Sequence, residues 1–253
     1  MRWEHLSWPE FEAASRDRVV IIPTAAIEQH SRHLPVWVDT AIANNLASLL
    51  DEACDNDLLV LPTYWLGCSE HHMGFPGSLT TSLDNWTNSV LDIINSVRRH
   101  GFHKVIVLNC HGGNHTILGV TLEKAKYTWP EMTVIGATYW NIAHDEMQAV
   151  RKSDFGGMGH ACEMETSLML LFHEDLVQMD KATKDGVMHP SRFARMEMMS
   201  GSLAIYQRTF KQLTNHGGMG DATIATKEHG QAFVDAIIPP LKELVGELAS
   251  GKF

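Results

Sequence analysis

No run in this 253-residue sequence approaches the roughly 18 uninterrupted apolar residues of a membrane span, which argues against an integral membrane protein. The amino end, Met1-Arg2-Trp3-Glu4-His5, carries charges and lacks the apolar core and small-residue cleavage site of a secretory leader, so none is expected. Positive charge is in short supply. Lys plus Arg number 20 against 30 Asp plus Glu, a formal net charge of −10 that repels phosphate backbones and anionic lipid heads, so neither nucleic acid nor membrane is expected as a partner. Cysteine is sparse too: Cys54, Cys68, Cys110 and Cys162 form no CxxC pair, which excludes a zinc ribbon and points to free thiols in a reducing cytoplasm. Neither a GxGxxG fingerprint nor a glycine loop followed by Lys-Ser/Thr occurs, so P-loop and dinucleotide readings fail. There is no internal repeat, low-complexity tract or Gly/Ser linker.

What is present suits one compact domain over residues 1–253, with 44% hydrophobic and 20% charged residues. Histidine is the outlier: 15 of them exceed the nine Phe and four Tyr. That excess asks for an explanation.

Strand and helix signals alternate through the first 140 residues. Ser7-Trp8-Pro9-Glu10 fits a capping box opening a short helix, and residues 19–23 read as a buried strand. An Ala/Leu-rich helix follows from Asp39 to about residue 54, then an apolar run over 58–62. A helix spans about 83–100 and ends in Arg98, Arg99 and Gly101. A third strand over 104–108, a helix over about 114–127 and a fourth strand over 133–140 complete a pattern expected of a mostly parallel sheet in an α/β fold. Beyond it, helices are predicted over 163–172 and about 221–248. Residues 179–213 are hard to read, and Met188, Met196, Met198 and Met199 there suit helix packing.

In open parallel sheets ligands sit beyond the carboxyl ends of the strands. The histidine-bearing segments fall there: Glu28-Gln29-His30-Ser31-Arg32-His33 and Asp39 after the first strand, residues 67–78 after the second, and Asn109-Cys110-His111-Gly112-Gly113-Asn114 after the third. Residues 140–144 follow the fourth. Glu28 and His30, two apart on extended chain, project to one face and could approach a metal together. Carboxylate with imidazole and no thiolate is the donor set of a hydrolytic Zn, Mn or Fe centre. A Glu-x-His pair by itself reads equally as a solvated loop, and the glycines after His111 only let the backbone turn tightly. Glu163 and Glu165 open a helix, where acids commonly complement the macrodipole. Lying on different faces, one should point inward and the other find a separate partner.

Together these segments resemble the creatininase (creatinine amidohydrolase) family. The likeness rests on Glu28-Gln29-His30 with His33-Leu34-Pro35 and Asp39, on Gly67-x-Ser69 through His72 to Phe75-Pro76-Gly77-Ser78, on Asn109-x-His111-Gly112-Gly113-Asn114, and on His160-Ala161 through Glu165-Thr166-Ser167. A Gly-x-x-Gly-Asp221 stretch before Ala-Thr-Lys-Glu-x-Gly230 resembles the family's C-terminal element. The resemblance implies a three-layer α/β/α fold and hydrolysis of C–N bonds in cyclic or linear amides at a centre of two divalent ions, Zn or Mn, with Fe possible. It implies that Glu28 and His111 hold one ion, His30 and Glu165 the other, and Asp39 both. A hydroxide shared by the ions would be the nucleophile. His160 would pass a proton to the leaving nitrogen and His33 would orient a ligand. Trp140, Phe155, Met158, Gly112, Gly113, Ser69 and His72 would form the substrate pocket, and a homo-oligomer, commonly a hexamer, is implied.

Two departures bear on the substrate. Creatinine hydrolases of the family carry a Glu where this chain has Gly113, and a second Trp where it has Phe155-Gly156-Gly157-Met158. Losing a carboxylate and a flat wall argues against creatinine, because a small planar ring needs both to be oriented. Relatives that resemble nucleotide-intermediate deformylases, a peptide-trimming peptidase and C–C hydrolases of cyclic polyol ketones offer other substrates. The acidic chain, with no basic cluster near the motifs, makes a phosphorylated one less attractive. Arg32 could bind a substrate carboxylate or pair across a subunit contact. The C–C hydrolase is the alternative within enzymes, and a catalytically silent metal-binding scaffold the alternative outside them.

Overall fold

A computed structural model of the chain describes residues 1–55, 57–186, 193–195, 197–200, 203–204 and 207–253. Helix α1 (Trp8–Ala13) opens with the expected capping box, Glu10 accepting from the Ser7 amide at 2.7 Å. Then follow β1 (Val19–Thr24), α2 (Val38–Ala53), β2 (Leu59–Val60), α3 (Leu83–Arg99), β3 (Lys104–Asn109), α4 (His115–Thr128) and β4 (Thr133–Thr138). Short helices α5 (Tyr139–Ile142) and α6 (His144–Val150) lead to β5 (Met158–His160), α7 (Glu163–Phe172), β6 (Lys184–Asp185), α8 (Phe210–Leu213), β7 (Met219–Asp221) and α9 (Lys227–Ala249).

The main sheet is fully parallel in the order β2-β1-β3-β4, with Val20 opposite Val105 and Val105 opposite Val134. Both of its faces are covered, which is why β1 reads as an unbroken apolar run rather than an alternation. Val19 and Ile21 enter one core with Leu46 of α2, Leu168 of α7 and Phe233 of α9. Val20 and Ile22 enter the other with Trp86 and Ile94 of α3 and Ile117 of α4. The result is the three-layer α/β/α architecture. Among the described residues no helix is long and apolar enough to cross a membrane, and all four cysteines are free.

Two element bounds expected from the sequence need correction. The fourth strand ends at Thr138, two residues early, because Tyr139 and Trp140 turn into α5. The terminal helix begins at Lys227 rather than near residue 221. Asp221 ends β7, and Thr226, whose hydroxyl accepts from the His229 amide, caps the helix. A small antiparallel sheet, β5-β7-β6, was not foreseen, since its strands are two or three residues long and far apart in sequence. Met199 is buried in the first core and Met198 packs against it, although both lie in a turn rather than a helix. Met188 and Met196 lie outside the described residues.

Candidate metal centre

Every segment singled out by its histidines meets at the carboxyl rim of the parallel sheet. Past β1 the chain delivers Glu28 and His30. Past β3, Asn109 staples the next turn: its amide donates to the His111 carbonyl at 2.9 Å, and its Oδ1 accepts from the His111 amide at 3.2 Å. Asp39 and Glu165 sit in the first turns of α2 and α7, where the helix dipole favours a carboxylate. His160 ends β5. Ser31 and Ala161, each directly after one of these histidines, hold the left-handed φ values 61° and 48°, a strain tolerated where the fold over-determines a site.

Asp39 lies between two imidazoles, with Oδ1 3.1 Å from His30 Nε2 and Oδ2 2.8 Å from His111 Nδ1. Glu28 Oε2 is 3.4 Å from His111 Nδ1, and its Oε1 is 3.2 Å from His72 Nε2 and 3.6 Å from His160 Nδ1. Glu165 Oε1 is 3.9 Å from His30 Nε2. None of Glu28, His30, Asp39, His111, His160 and Glu165 is more than 6% exposed.

Backbone carbonyls, which can only accept, set the tautomers. His30 donates Nδ1–H to the Glu28 carbonyl at 3.0 Å, which leaves Nε2 as the inward nitrogen. His111 donates Nε2–H to the Cys68 carbonyl at 3.2 Å, with the Ser69 hydroxyl beside it, which leaves Nδ1 inward. Such outer contacts aim a ring's lone pair at a cation. Four inward atoms, Glu28 Oε2, His30 Nε2, Asp39 Oδ2 and Glu165 Oε2, are buried with no aligned hydrogen-bond partner. Leaving buried carboxylate oxygens unpartnered is costly. A divalent cation would use those atoms, so the donor set fits a metal.

The electrostatics agree. Burial pushes the Glu28 carboxyl above its usual range, with His111 opposing and Asp39 adding to the push. Burial favours neutral His30 and His111, yet the carboxylates outweigh it: Asp39 and Glu165 hold His30 well above an ordinary imidazole, and Glu28 with Asp39 raise His111 to about 10. Asp39 is held below the usual carboxylate range by these same rings, against its burial. This cluster draws positive charge inward. The surrounding imidazoles are neutral: burial, then the charge on His30, takes His33 down to about 4 and His160 well below its ordinary value.

A cavity of about 450 Å³ opens onto the cluster. Trp140, Gly112 and His72 line it, together with Asn141, His71, Met198 and Phe210. Phe155 and Met158 do not. Met158 is fully buried in the first core, and Phe155, 49% exposed, lies in the turn before β5. Ser69 and Gly113 are also off the wall: Ser69 lies behind His111, and Gly113 packs where a Cβ would meet the Cys68 carbonyl at 2.1 Å and His111 Nε2 at 2.4 Å. His33 sits behind the site, its Nε2 2.9 Å from Thr166 Oγ1. Glu163 faces away from Glu165. It accepts from the Lys152 and Ser153 amides at 2.7 and 2.9 Å and meets His229 at 3.2 Å, tying the loop before β5 to α9.

Phe210 escaped the sequence reading. Its ring stacks on His72 at 4.0 Å between centroids and stands edge-on to His160 at 4.7 Å, forming the aromatic wall that Phe155 and Met158 do not provide. The Thr209-x-x-Gln212 capping box of α8 was the signal that could have located it.

Buried carboxylates and imidazoles around one cavity, at the strand ends of a three-layer α/β/α fold, define a candidate metal centre of hydrolytic type. The family model for creatininase, described as creatinine amidohydrolase, matches residues 4–245, and the chain belongs to the creatininase family of hydrolases. It is 28% identical to the creatinine amidohydrolase of Pseudomonas putida, covering 96% of this chain and 95% of that one. It is 26% identical to the mycofactocin precursor peptide peptidase of Mycolicibacterium smegmatis (90% and 87% covered) and 23% identical to the 3-dehydro-scyllo-inosose hydrolase of Thermotoga maritima (91% and 77%). Among solved structures, a mutant creatininase of Zn-Zn type superposes with a TM-score of 0.83 at 22% identity, 97% of each chain covered. A manganese creatininase does so at 0.80 and 24%, again with 97% of each covered.

Proposed function

We propose that this protein hydrolyses the C–N bond of a small cyclic or linear amide other than creatinine, with two divalent ions, zinc or manganese, at the centre described. The observation that carries this reading is the convergence of four buried donor atoms with no aligned hydrogen bond, from Glu28, His30, Asp39 and Glu165, beside the inward Nδ1 of His111. In it, Glu28 and His111 would hold one ion, His30 and Glu165 the other, and Asp39, set between His30 and His111, would serve both. One of the solved creatininases described above is of Zn-Zn type and another is a manganese form. When bound, such ions polarise a carbonyl and lower the pKa of water.

The chain's own residues do the rest. His160 donates Nε2–H to the Gln29 carbonyl at 2.7 Å, so its bare Nδ1 faces Glu28 and the cavity, placed to take a proton and return it to a leaving nitrogen. His72, whose Nδ1 lies 2.9 Å from the Gln29 amide nitrogen, keeps its proton on Nε2 and steadies Glu28. Trp140 and Phe210 flank the cavity with flat apolar surface. Gly113 supplies no carboxylate, which supports a substrate other than creatinine.

Metal content by plasma mass spectrometry, followed by turnover of lactams, formamides and linear amides after zinc or manganese loading, tests the reading. Two ions per chain with amide cleavage are expected. Two ions with no cleavage of any amide would overturn it, and ring-opened products from polyol ketones would favour C–C hydrolysis. A homo-oligomer, a hexamer by family resemblance, belongs to the same reading, and light scattering on the native protein tests it.

A further inference from the structure

A second cleft of about 330 Å³ lies beside the metal centre, with Gln29 in its wall. It gathers three basic side chains from distant parts of the chain, Arg32, Lys211 and His216. In a chain of net charge −10 that grouping runs against the average. Among the described residues that line the cleft there is no acid to neutralise them. Arg32 has no hydrogen bond or ion pair among the described residues, and Lys211 sits over the Phe75 ring, 4.6 Å from its centroid. The acid behind His216 is Asp185, whose carboxylate already accepts the backbone N–H groups of Gly186, Asn215 and His216 at 2.8, 3.1 and 2.6 Å.

The cleft is joined to the metal side by named residues. The left-handed turn at Ser31, whose N–H donates to Gln29 Oε1 at 3.0 Å, separates His30 in the centre from Arg32 in the cleft. Phe210 lines the metal cavity and Lys211, next in α8, lines the cleft. Gln29 is the partition: its amide nitrogen lies 2.9 Å from His72 Nδ1 and 3.2 Å from His160 Nε2, and donates to the Gly217 carbonyl at 2.8 Å. At Gly217 a Cβ would fall 1.9 Å from Gln29 Oε1, so only glycine lets this partition form.

We propose that this cleft seats an oxyanion, a carboxylate or phosphate, carried by the substrate whose scissile bond lies at the metal centre. The assignment rests on the hydrolase reading for the second half of that statement only. A guanidinium fork suits a planar or tetrahedral oxyanion bidentately, and an ammonium adds a point charge beside it. The net charge of −10 disfavours general attraction of anions, so binding here would be selective.

The test uses the metal-loaded full chain. Calorimetric titration with inorganic phosphate and with succinate should show saturable binding that weakens roughly 10- to 100-fold in Arg32→Gln, and by less in Lys211→Gln, as expected for loss of charged hydrogen bonds. The same substitutions should leave metal content unchanged. Equal binding by wild type and both variants, or no binding at millimolar concentration, overturns the site whatever the enzyme does. Separately, N-formyl amino acids should be cleaved with a kcat/KM at least tenfold above their C-terminal amides, a preference that Arg32→Gln removes. Turnover without such a preference, in a protein whose Arg32 binds phosphate, overturns the link to the substrate. Absence of turnover alone bears on the hydrolase reading and leaves the titration to decide the site.

Discussion

Gln29 holds His160 through its main chain: the Gln29 carbonyl accepts the ring's Nε2–H at 2.7 Å, while the Gln29 side-chain amide closes off the same edge at 3.2 Å. One ring nitrogen is therefore committed, and only Nδ1 remains for chemistry. His160→Ala should keep both metals and lower the catalytic rate by roughly two to four orders of magnitude, the range for a lost general acid or base. Metal content and kcat measured on one preparation decide it. A loss of metal would make His160 a ligand instead.

Asp39 is within 3.1 Å of His30 and 2.8 Å of His111, so in the proposed two-ion centre its removal would take a donor from both ions. Asp39→Ala should bind neither ion and be inactive, and mass-spectrometric metal counts check this. Full activity would refute the assignment.

Gly113→Ala places a methyl 2.1 Å from the Cys68 carbonyl, the group that orients His111. Backbone must move, at a cost of about 1–3 kcal/mol, visible as a lower denaturation midpoint. Metal affinity should fall with it. Gly113→Glu should likewise fail to create creatinine hydrolysis, and an active, equally stable variant would show that this turn can open.

Asp185 is held below the usual carboxylate range despite partial burial, by the N–H groups of Asn215, Gly186 and His216. Its folded-state pKa is depressed, so the ionised form stabilises the protein above the unfolded value of roughly 4, and that contribution disappears as pH falls through the folded value. Melting temperature measured from pH 6 to pH 3 should therefore fall more steeply for wild type than for Asp185→Asn. Parallel curves would count against this role.

The parallel sheet and its helices were legible because β1 and β3 are buried apolar runs and several helices carry their own start or stop residues. The capping boxes at Ser7 and the apolar runs at Val19–Thr24 and Lys104–Asn109 are local signals. The metal-site candidates were legible for a related reason. Donors that follow strand ends must lie at one rim of a parallel sheet, so Glu28, His30 and His111 come together once the strands align.

What could not be read depends on contacts between residues far apart. Phe210 forms the cavity wall that Phe155 and Met158 were expected to form, because Met158 turns into the core as β5 pairs with β7. The basic cleft needs Arg32, Lys211 and His216 together, a grouping that no window of sequence contains.

The sequence alone determined the fold class and the family and pointed to candidate donor residues, since periodicity, caps and strand-end placement are local properties of the chain. Only tertiary structure decided which ring nitrogens are bare, which aromatic faces the cavity, and where an acidic protein gathers positive charge. Those depend on packing and on backbone carbonyls from other segments.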